Sequence, residues 1–290
     1  MPRGRGFAAA PFLHMTRQLL CGRFTLDLTR PLIMGIVNLT DDSFSGDGLH
    51  GQVAAAVAQG KRMVEEGAHL LDLGAESSRP GATSVPAQQE LDRLLPVIDS
   101  LRDCGVPLSV DTVKPEVMTM ALAAGADMIN DITALQAPGA LDVVATSRAA
   151  VCLMHMQGVP RTMQADPRYD DVVAEVAEFL AARAAVCERA GIARNRIVID
   201  PGFGFGKTLT HNLTLLRCLD RFVESGLPVL AGISRKSMLG LITGRRLGER
   251  IHASVATALL AVQKGAAMVR VHDVAATRDA LAVLKAIEDN

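Results

Sequence analysis

The chain has 290 residues, a formal net charge of −1 and an apolar fraction of 49%. That length and apolar content suit one domain with a large core, while the balanced charge, the absence of Trp and the single Tyr exclude a nucleic-acid-binding surface. Five scattered cysteines without a CxxC spacing exclude a zinc knuckle or disulfide framework and suit reduced thiols in a cytoplasmic protein, and no apolar stretch approaches the ~20 residues of a membrane span.

Residues 1–19 are basic, with a short apolar patch broken by Pro11. They read as a disordered lead-in rather than a signal peptide, with Met15 as an alternative start, and residues 20–290 as the folded part. Residues 21–30 alternate weakly and predict a small hairpin that closes the bottom of the fold. Eight short apolar runs then recur: LIMGIVN to Asn38, LLDLGAE to Glu76, PLSVD to Asp111, ADMIN to Asn130, AVCLMH to His155, RIVID to Asp200, PVLAGIS to Ser234 and AMVRVH to His272. Each is strand-length and rich in Val, Ile, Leu or Met. Helical segments are predicted near 52–66, 87–102, 170–190, from about His211, and to about 287. The pattern predicts an α/β fold, a single (β/α)8 TIM barrel, with a short N-terminal hairpin. Its βα loops 1, 2 and 5 are longer than the roughly 2–6 residues usual for such connections. In such barrels the catalytic groups sit at the C-terminal ends of the strands.

Several strand ends carry chemistry. Asp111 and Asp200, with Asn130 on a strand between them, offer two carboxylates and an amide to one mouth. That set suits a flat heterocycle rich in N–H donors, whereas a lone Asp there would read as a helix N-cap. Lys236 and Arg270 bring positive charge to the last two strands, the usual anion end of this fold. Arg270 and His272 alternate, so they share a strand face and form a two-point clamp on phosphate oxygens. Ser237 opens a helix, as a cap or an anion contact. GFGFGKT at 202–208 lacks the glycine a Walker A motif needs where Pro201 stands, and its spacing is not that of a dinucleotide fingerprint. Its glycines read as places of tight turning or close backbone approach. No histidine pairing suggests zinc. His155 is expected to line the mouth, His211 to lie on the surface at a helix start, and the Asn38 oxygen to suit a hard cation such as Mg2+.

Taken together, PLIMGIVNLTDDSFSGDG at 31–48, DLGAESSRPGA at 72–82, SVDTVKPEV, GADMINDITAL, VCLMHMQGVPRTMQ, IDPGFGFGKT, GISRKSMLG and VRVHDV resemble the dihydropteroate synthase family, in its order, over roughly residues 20–287. The resemblance implies condensation of 6-hydroxymethyl-7,8-dihydropterin pyrophosphate with p-aminobenzoate, giving 7,8-dihydropteroate and pyrophosphate, by way of a pterin cation. It implies that Asp111, Asn130 and Asp200 hold the pterin, with Lys236 and Arg270 beside it and Met154 and Phe205 shaping the pocket. Asn38, Ser78, Arg270 and His272 would take pyrophosphate, Asn38 with Mg2+ as cofactor. Phe44, Ser78, Arg79, Pro80 and Ser237 would border p-aminobenzoate. It further implies inhibition by sulfonamides, a homodimer, and no nucleic-acid or membrane partner.

The chain departs from the family pattern at Asp41, where Pro is usual, at Gly46-Asp47-Gly48, where Asp-Gly-Gly is usual, and at Ser78, where Thr is usual. The acid of the first loop is therefore expected to be Asp47, taking over catalytic charge stabilisation beside Lys236 and Arg270. Two other readings share the pterin site: a pterin-dependent methyltransferase, which needs neither the SRKS and RVHD cations nor the long loops, and a non-catalytic pterin-binding paralogue, which the altered first loop would favour.

Overall fold

Inward and outward side chains alternate along every parallel strand of the structure, a computed structural model that describes residues 17–39, 48–77 and 84–289. The chain begins with an antiparallel pair, β1 (Gln18–Cys21) and β2 (Phe24–Asp27), in which Gln18 faces Asp27 and Cys21 faces Phe24. The hairpin thus starts and ends three residues before the expected 21–30, and β1 takes in the last residues of the expected lead-in. The register is fixed by burial: Leu19 and Cys21 point into the core while Gln18 and Leu20 are exposed. Gly22 makes the turn at φ +58, and a Cβ there would lie 2.5 Å from Asp127 Oδ1.

Eight parallel strands follow, alternating with helices. The order in chain is β3 (Leu32–Asn38), α1 (Gly48–Glu65), β4 (Leu70–Gly74), α2 (Ala87–Leu101), β5 (Leu108–Asp111), α3 (Pro115–Ala124), β6 (Met128–Asp131), α4 (Ala140–Ala145), β7 (Ala150–Met154) and α5 (Val172–Arg189). Then come β8 (Ile197–Asp200), α6 (Leu209–Arg217), α7 (Asp220–Val223), β9 (Leu230–Ala231), α8 (Ser237–Thr243), α9 (Ile251–Gln263), β10 (Met268–Val271) and α10 (Val274–Glu288). Neighbours in the sheet run β8-β7-β6-β5-β4-β3-β10-β9, and a parallel bridge between Ile199 and Val229 joins the two ends. This is the expected TIM barrel. The second, fifth, seventh and eighth strands end earlier than the apolar runs do, at Gly74, Met154, Ala231 and Val271, so Glu76, His155, Ser234 and His272 stand just beyond the ladder.

Outward residues such as Ile33, Leu71, Leu73, Val110, Ile129, Val151, Ile199 and Val269 pack against the helices in one large core. Inward residues at the N-terminal end of the strands form a second, smaller one: Met34, Leu70, Met128, Cys152, Val198, Leu230 and Met268, closed by Leu19 and Cys21 of the hairpin. The hairpin is pinned there by Arg23, whose Nε and Nη2 donate to Asp127 Oδ1 and Oδ2 at 3.0 and 2.9 Å. Asp127 also accepts from Leu108 N at 3.2 Å. The barrel floor is therefore packed and sealed, and the interior turns polar towards the C-terminal end of the strands.

Candidate active site

The period-two register that buries Met34, Leu70, Met128 and Met268 below carries a polar set to the top. The inward positions above them include Ile36, Asn38, Asp72, Gly74, Asp111, Asn130, Met154, Asp200, Gly232, Arg270 and His272. A cavity of about 680 Å3 opens here. Its lining includes Asn38, Asp111, Asn130, Met154, Asp200, Phe205, Lys236, Ser237, Arg270 and His272, which are all the expected site residues in the described parts of the chain. Gly74 and Gly232 help to make the room: a Cβ at Gly74 would lie 3.6 Å from Asp111 Cβ, and one at Gly232 3.7 Å from Asp200 Oδ2. Phe44, Asp47, Ser78, Arg79 and Pro80, with the departures at Asp41 and Gly46, lie outside the described residues.

One wall is made of acceptors. Asp111, Asn130 and Asp200 sit at the ends of β5, β6 and β8. Neither Asp caps the helix that follows, since the N-cap positions of α3 and α6 are Lys114 and Thr208. Burial pushes the Asp111 carboxyl up to about 7 against the pull of Arg270, with Asp72, Asp131 and Glu90 adding to the rise. Burial also raises Asp200, opposed by Lys236 and by a 2.7 Å hydrogen bond from Gly202 N.

Cationic side chains stand against these acceptors. Arg270 donates from Nε to Asp72 Oδ2 at 2.6 Å and from Nη2 to Asp111 Oδ2 at 3.1 Å. Burial disfavours its charge, but the two carboxylates more than offset this. Lys236 donates to the Phe203 carbonyl and lies 4.6 Å from the centre of the Phe205 ring. Burial lowers its pKa to about 8, with Asp200 holding it up. His272 and Ser234 are paired, Oγ to Nδ1 at 3.0 Å, and Ser234 Oγ accepts from His272 N at 3.2 Å.

Lys236 is aimed by a strained turn. Arg235 has φ +57, and its guanidinium meets Asp273 at 3.0 and 2.5 Å while its N–H donates to Ser254 Oγ at 2.9 Å. Lys236 itself is the N-cap of α8, so Ser237 is the first helical residue and its exposed hydroxyl stands at the cavity mouth.

Sequence reading missed Asp72. It is fully buried below the cavity and ties Arg270 to Asn130, whose Nδ2 donates to the same Oδ2 at 3.1 Å. The signal was present: Leu70, Asp72 and Gly74 share the inward face of β4. Lys207 was hidden in the GFGFGKT loop. It is buried, and its Nζ reaches the carbonyls of Phe205 and His155 at 3.0 and 3.3 Å and His155 Nδ1 at 2.9 Å. Burial lowers Lys207 to about 7 and His155, with Lys207 adding its charge, to about 3. His155 therefore does not line the mouth as expected; it packs edge-on against Phe179 at 4.9 Å, behind the site. The glycines of this loop admit close protein backbone: a Cβ at Gly202 would lie 1.9 Å from the His155 carbonyl oxygen and one at Gly206 2.5 Å from that of Gln157. His211 is a half-buried member of a capping box with Thr208 at the start of α6.

A family model described as pterin binding enzyme matches residues 34–272. A dihydropteroate synthase of Neisseria meningitidis serogroup C is 51% identical over 274 residues, covering 93% of this chain and 97% of that protein. The chain belongs to the dihydropteroate synthase family. Among solved structures, a Xanthomonas albilineans dihydropteroate synthase with 4-aminobenzoic acid superposes with a TM-score of 0.90 at 55% identity, covering 94% of this chain and 99% of that one. The same enzyme in complex with 7,8-dihydropteroate gives a TM-score of 0.83 at 51% identity, with the same coverage.

Proposed function

We infer that this chain condenses 6-hydroxymethyl-7,8-dihydropterin pyrophosphate with p-aminobenzoate, giving 7,8-dihydropteroate and pyrophosphate. The observation that carries the reading is one cavity that brings together the acceptors Asp111, Asn130 and Asp200 and the cations Lys236 and Arg270. The aminopyrimidinone edge of a pterin is rich in N–H donors. Asp111, Asn130 and Asp200 present acceptors to it, Asn130 and Asp200 buried, and a ring without those donors leaves their remaining lone pairs unmatched, which is a strong basis for discrimination. Donors from the ring also offset the desolvation that raises both carboxyls. Met154 and Phe205 shape the slot for the ring, with Lys236 over Phe205.

In the reaction the bond between the pterin methylene carbon and the diphosphate oxygen breaks, its electron pair leaving with pyrophosphate. The aniline nitrogen forms the new C–N bond with its lone pair, and its surplus proton passes to the leaving group or to water. Arg270 and His272 stabilise the charge gathering on the departing oxygens. Asp47, opposite in charge to a developing pterin cation, is assigned to stabilise it from the first loop. Ser237, at the cavity mouth, is assigned to p-aminobenzoate; the family pattern assigns Phe44, Ser78, Arg79 and Pro80 to the same substrate and Ser78 also to pyrophosphate. Sulfonamides, which mimic p-aminobenzoate, are expected to compete with it.

The described residues hold no cluster of three or more His, Cys, Asp or Glu arranged for a metal ion. Asn38 contributes one amide oxygen to the cavity. That donor set fits Mg2+, which takes few protein ligands and fills its shell with water and phosphate oxygens. Asn38 would hold it, and it would supply charge neutralisation for the leaving pyrophosphate. A homodimer belongs to the same proposal. Leu241, Ile242, Leu247, Leu260, Val283 and Ile287 of the α8–α10 region are exposed apolar side chains that a second copy would cover. A cytoplasmic setting is supported by five cysteines that form no disulfide. No helix of the described residues is long and apolar enough to cross a membrane.

Steady-state release of pyrophosphate tests the activity. It is expected to require both the pterin pyrophosphate and p-aminobenzoate. Tight pterin binding with no release would identify a binding paralogue instead.

A further inference from the structure

The acceptor wall is held in place by a carboxylate that does not line the cavity. Asp72 lies one inward step below Gly74 on β4, with no exposed surface. Its Oδ2 accepts from Asn130 Nδ2 at 3.1 Å and from Arg270 Nε at 2.6 Å. An ionised carboxylate only accepts, so an amide beside it must turn its NH2 toward it and its oxygen away. Asn130 lines the cavity, and a ligand there meets an amide whose orientation has been chosen from below. The Nε bond likewise fixes the plane of the guanidinium, with Nη2 on Asp111. An Arg held at Nε and at one Nη has a single orientation left for its remaining N–H groups.

We propose that Asp72 is a positioning residue that sets the hydrogen-bond polarity of the ring site, keeping Asn130 Oδ1 as an acceptor and dividing Arg270 between Asp111 and the anion. The proposal rests on the pterin reading above and adds its specificity. It predicts that the site prefers a pterin over lumazine, whose ring carries an oxygen in place of the 2-amino group and an N–H in place of the N1 acceptor. With a neutral residue at position 72, Asn130 is free to turn, and the preference narrows.

The test is the ratio of pterin to lumazine affinities, measured by calorimetry for the wild type, Asp72→Asn and Asp72→Ser, with thermal melts as a check on folding. The Asn variant keeps the shape and loses the charge, while the Ser variant is too short to reach Asn130. The ratio is expected to fall about tenfold or more in both, the Ser variant showing the greater change, with the KM for p-aminobenzoate within about threefold of wild type. In an Asn130→Ala background the Asp72→Asn substitution should no longer change the ratio. Removing the Asp72 charge also removes one of the influences that raise Asp111; Arg270, Asp131 and Glu90 remain around it. The acid limb of pterin binding should therefore move to lower pH. A folded Asp72 variant with an unchanged ratio overturns the proposal, even if both affinities fall together, because that is what a purely structural residue would do. A wild type that binds no pterin overturns the functional reading instead.

Discussion

The two ends of the barrel are built by the same strands in the same register, yet they do opposite things. At the N-terminal end Met34, Leu70, Met128, Cys152, Val198 and Met268 meet Leu19 and Cys21 in a sealed apolar layer. At the C-terminal end Asp72, Asp111, Asn130, Asp200 and Arg270 occupy the corresponding inward positions. The lower layer gains free energy from burial, at about 25 cal/mol per Å2 of apolar surface. The upper layer holds groups that burial disfavours: two carboxyls raised above their ordinary range and Lys236 lowered to about 8. One end holds the barrel together, and the other keeps poorly solvated charge ready for a ligand that matches it.

Removing acceptors from the upper end should have the largest effect. Asp111→Ala and Asp200→Ala should each weaken pterin binding about ten- to a hundredfold, with the fold retained, because each deletes a charged acceptor for buried ring donors. Calorimetry with 6-hydroxymethylpterin reads the effect, and unchanged affinity in both would end the assignment of this wall. Arg270→Ala should weaken the pyrophosphate-bearing substrate more than the free ring, by about tenfold. Equal losses for the two ligands would place Arg270 on the ring or in the scaffold rather than on the anion.

The lower end should answer the other way. Leu70→Ala should cost about 2–5 kcal/mol of stability, seen as a lower melting temperature, while kcat and both KM values of the folded enzyme stay near wild type. A smaller effect separates the ends by pH. A carboxyl whose folded pKa is raised to about 7 keeps its proton in the folded state where the unfolded chain has lost it. Its contribution to stability is complete below the unfolded value near 4 and is lost as the pH rises towards 7. Asp111→Asn removes that loss, so the stability difference between variant and wild type should shift in the variant's favour from pH 5 to pH 8. A constant difference across that range would mean that Asp111 is not titrating there.

Much of this architecture is legible in the amino-acid sequence alone. The eight apolar runs mark the strands because parallel strands buried on both faces read as near-continuous apolar sequence. Their polar last residues mark the mouth, and Asp111, Asn130, Asp200, Arg270 and His272 all arrive there. What escaped did so for physical reasons. Asp72 sits inside an apolar run, where its importance depends on partners 58 and 198 residues away in sequence. Lys207 looked like part of a loop motif, but its role is set by carbonyls that the glycine turns bring close. His155 ends its run as Asp111 and Asp200 do, yet one step of the two-residue alternation past the inward Met154 turns it away from the cavity. The hairpin register shifted by three residues because the pattern that fixes it, Leu19 and Cys21 inward, begins before the stretch that looked strand-like.

The most direct test of two half-sites in one cavity is a calorimetric titration of the wild type with Mg2+ present, using the pterin alone, pyrophosphate alone, and each in the presence of the other. The account predicts that both bind, that neither excludes the other, and that p-aminobenzoate binds well only after pyrophosphate is in place. Mutual competition between the ring and pyrophosphate, or no binding of the ring at all, would contradict it.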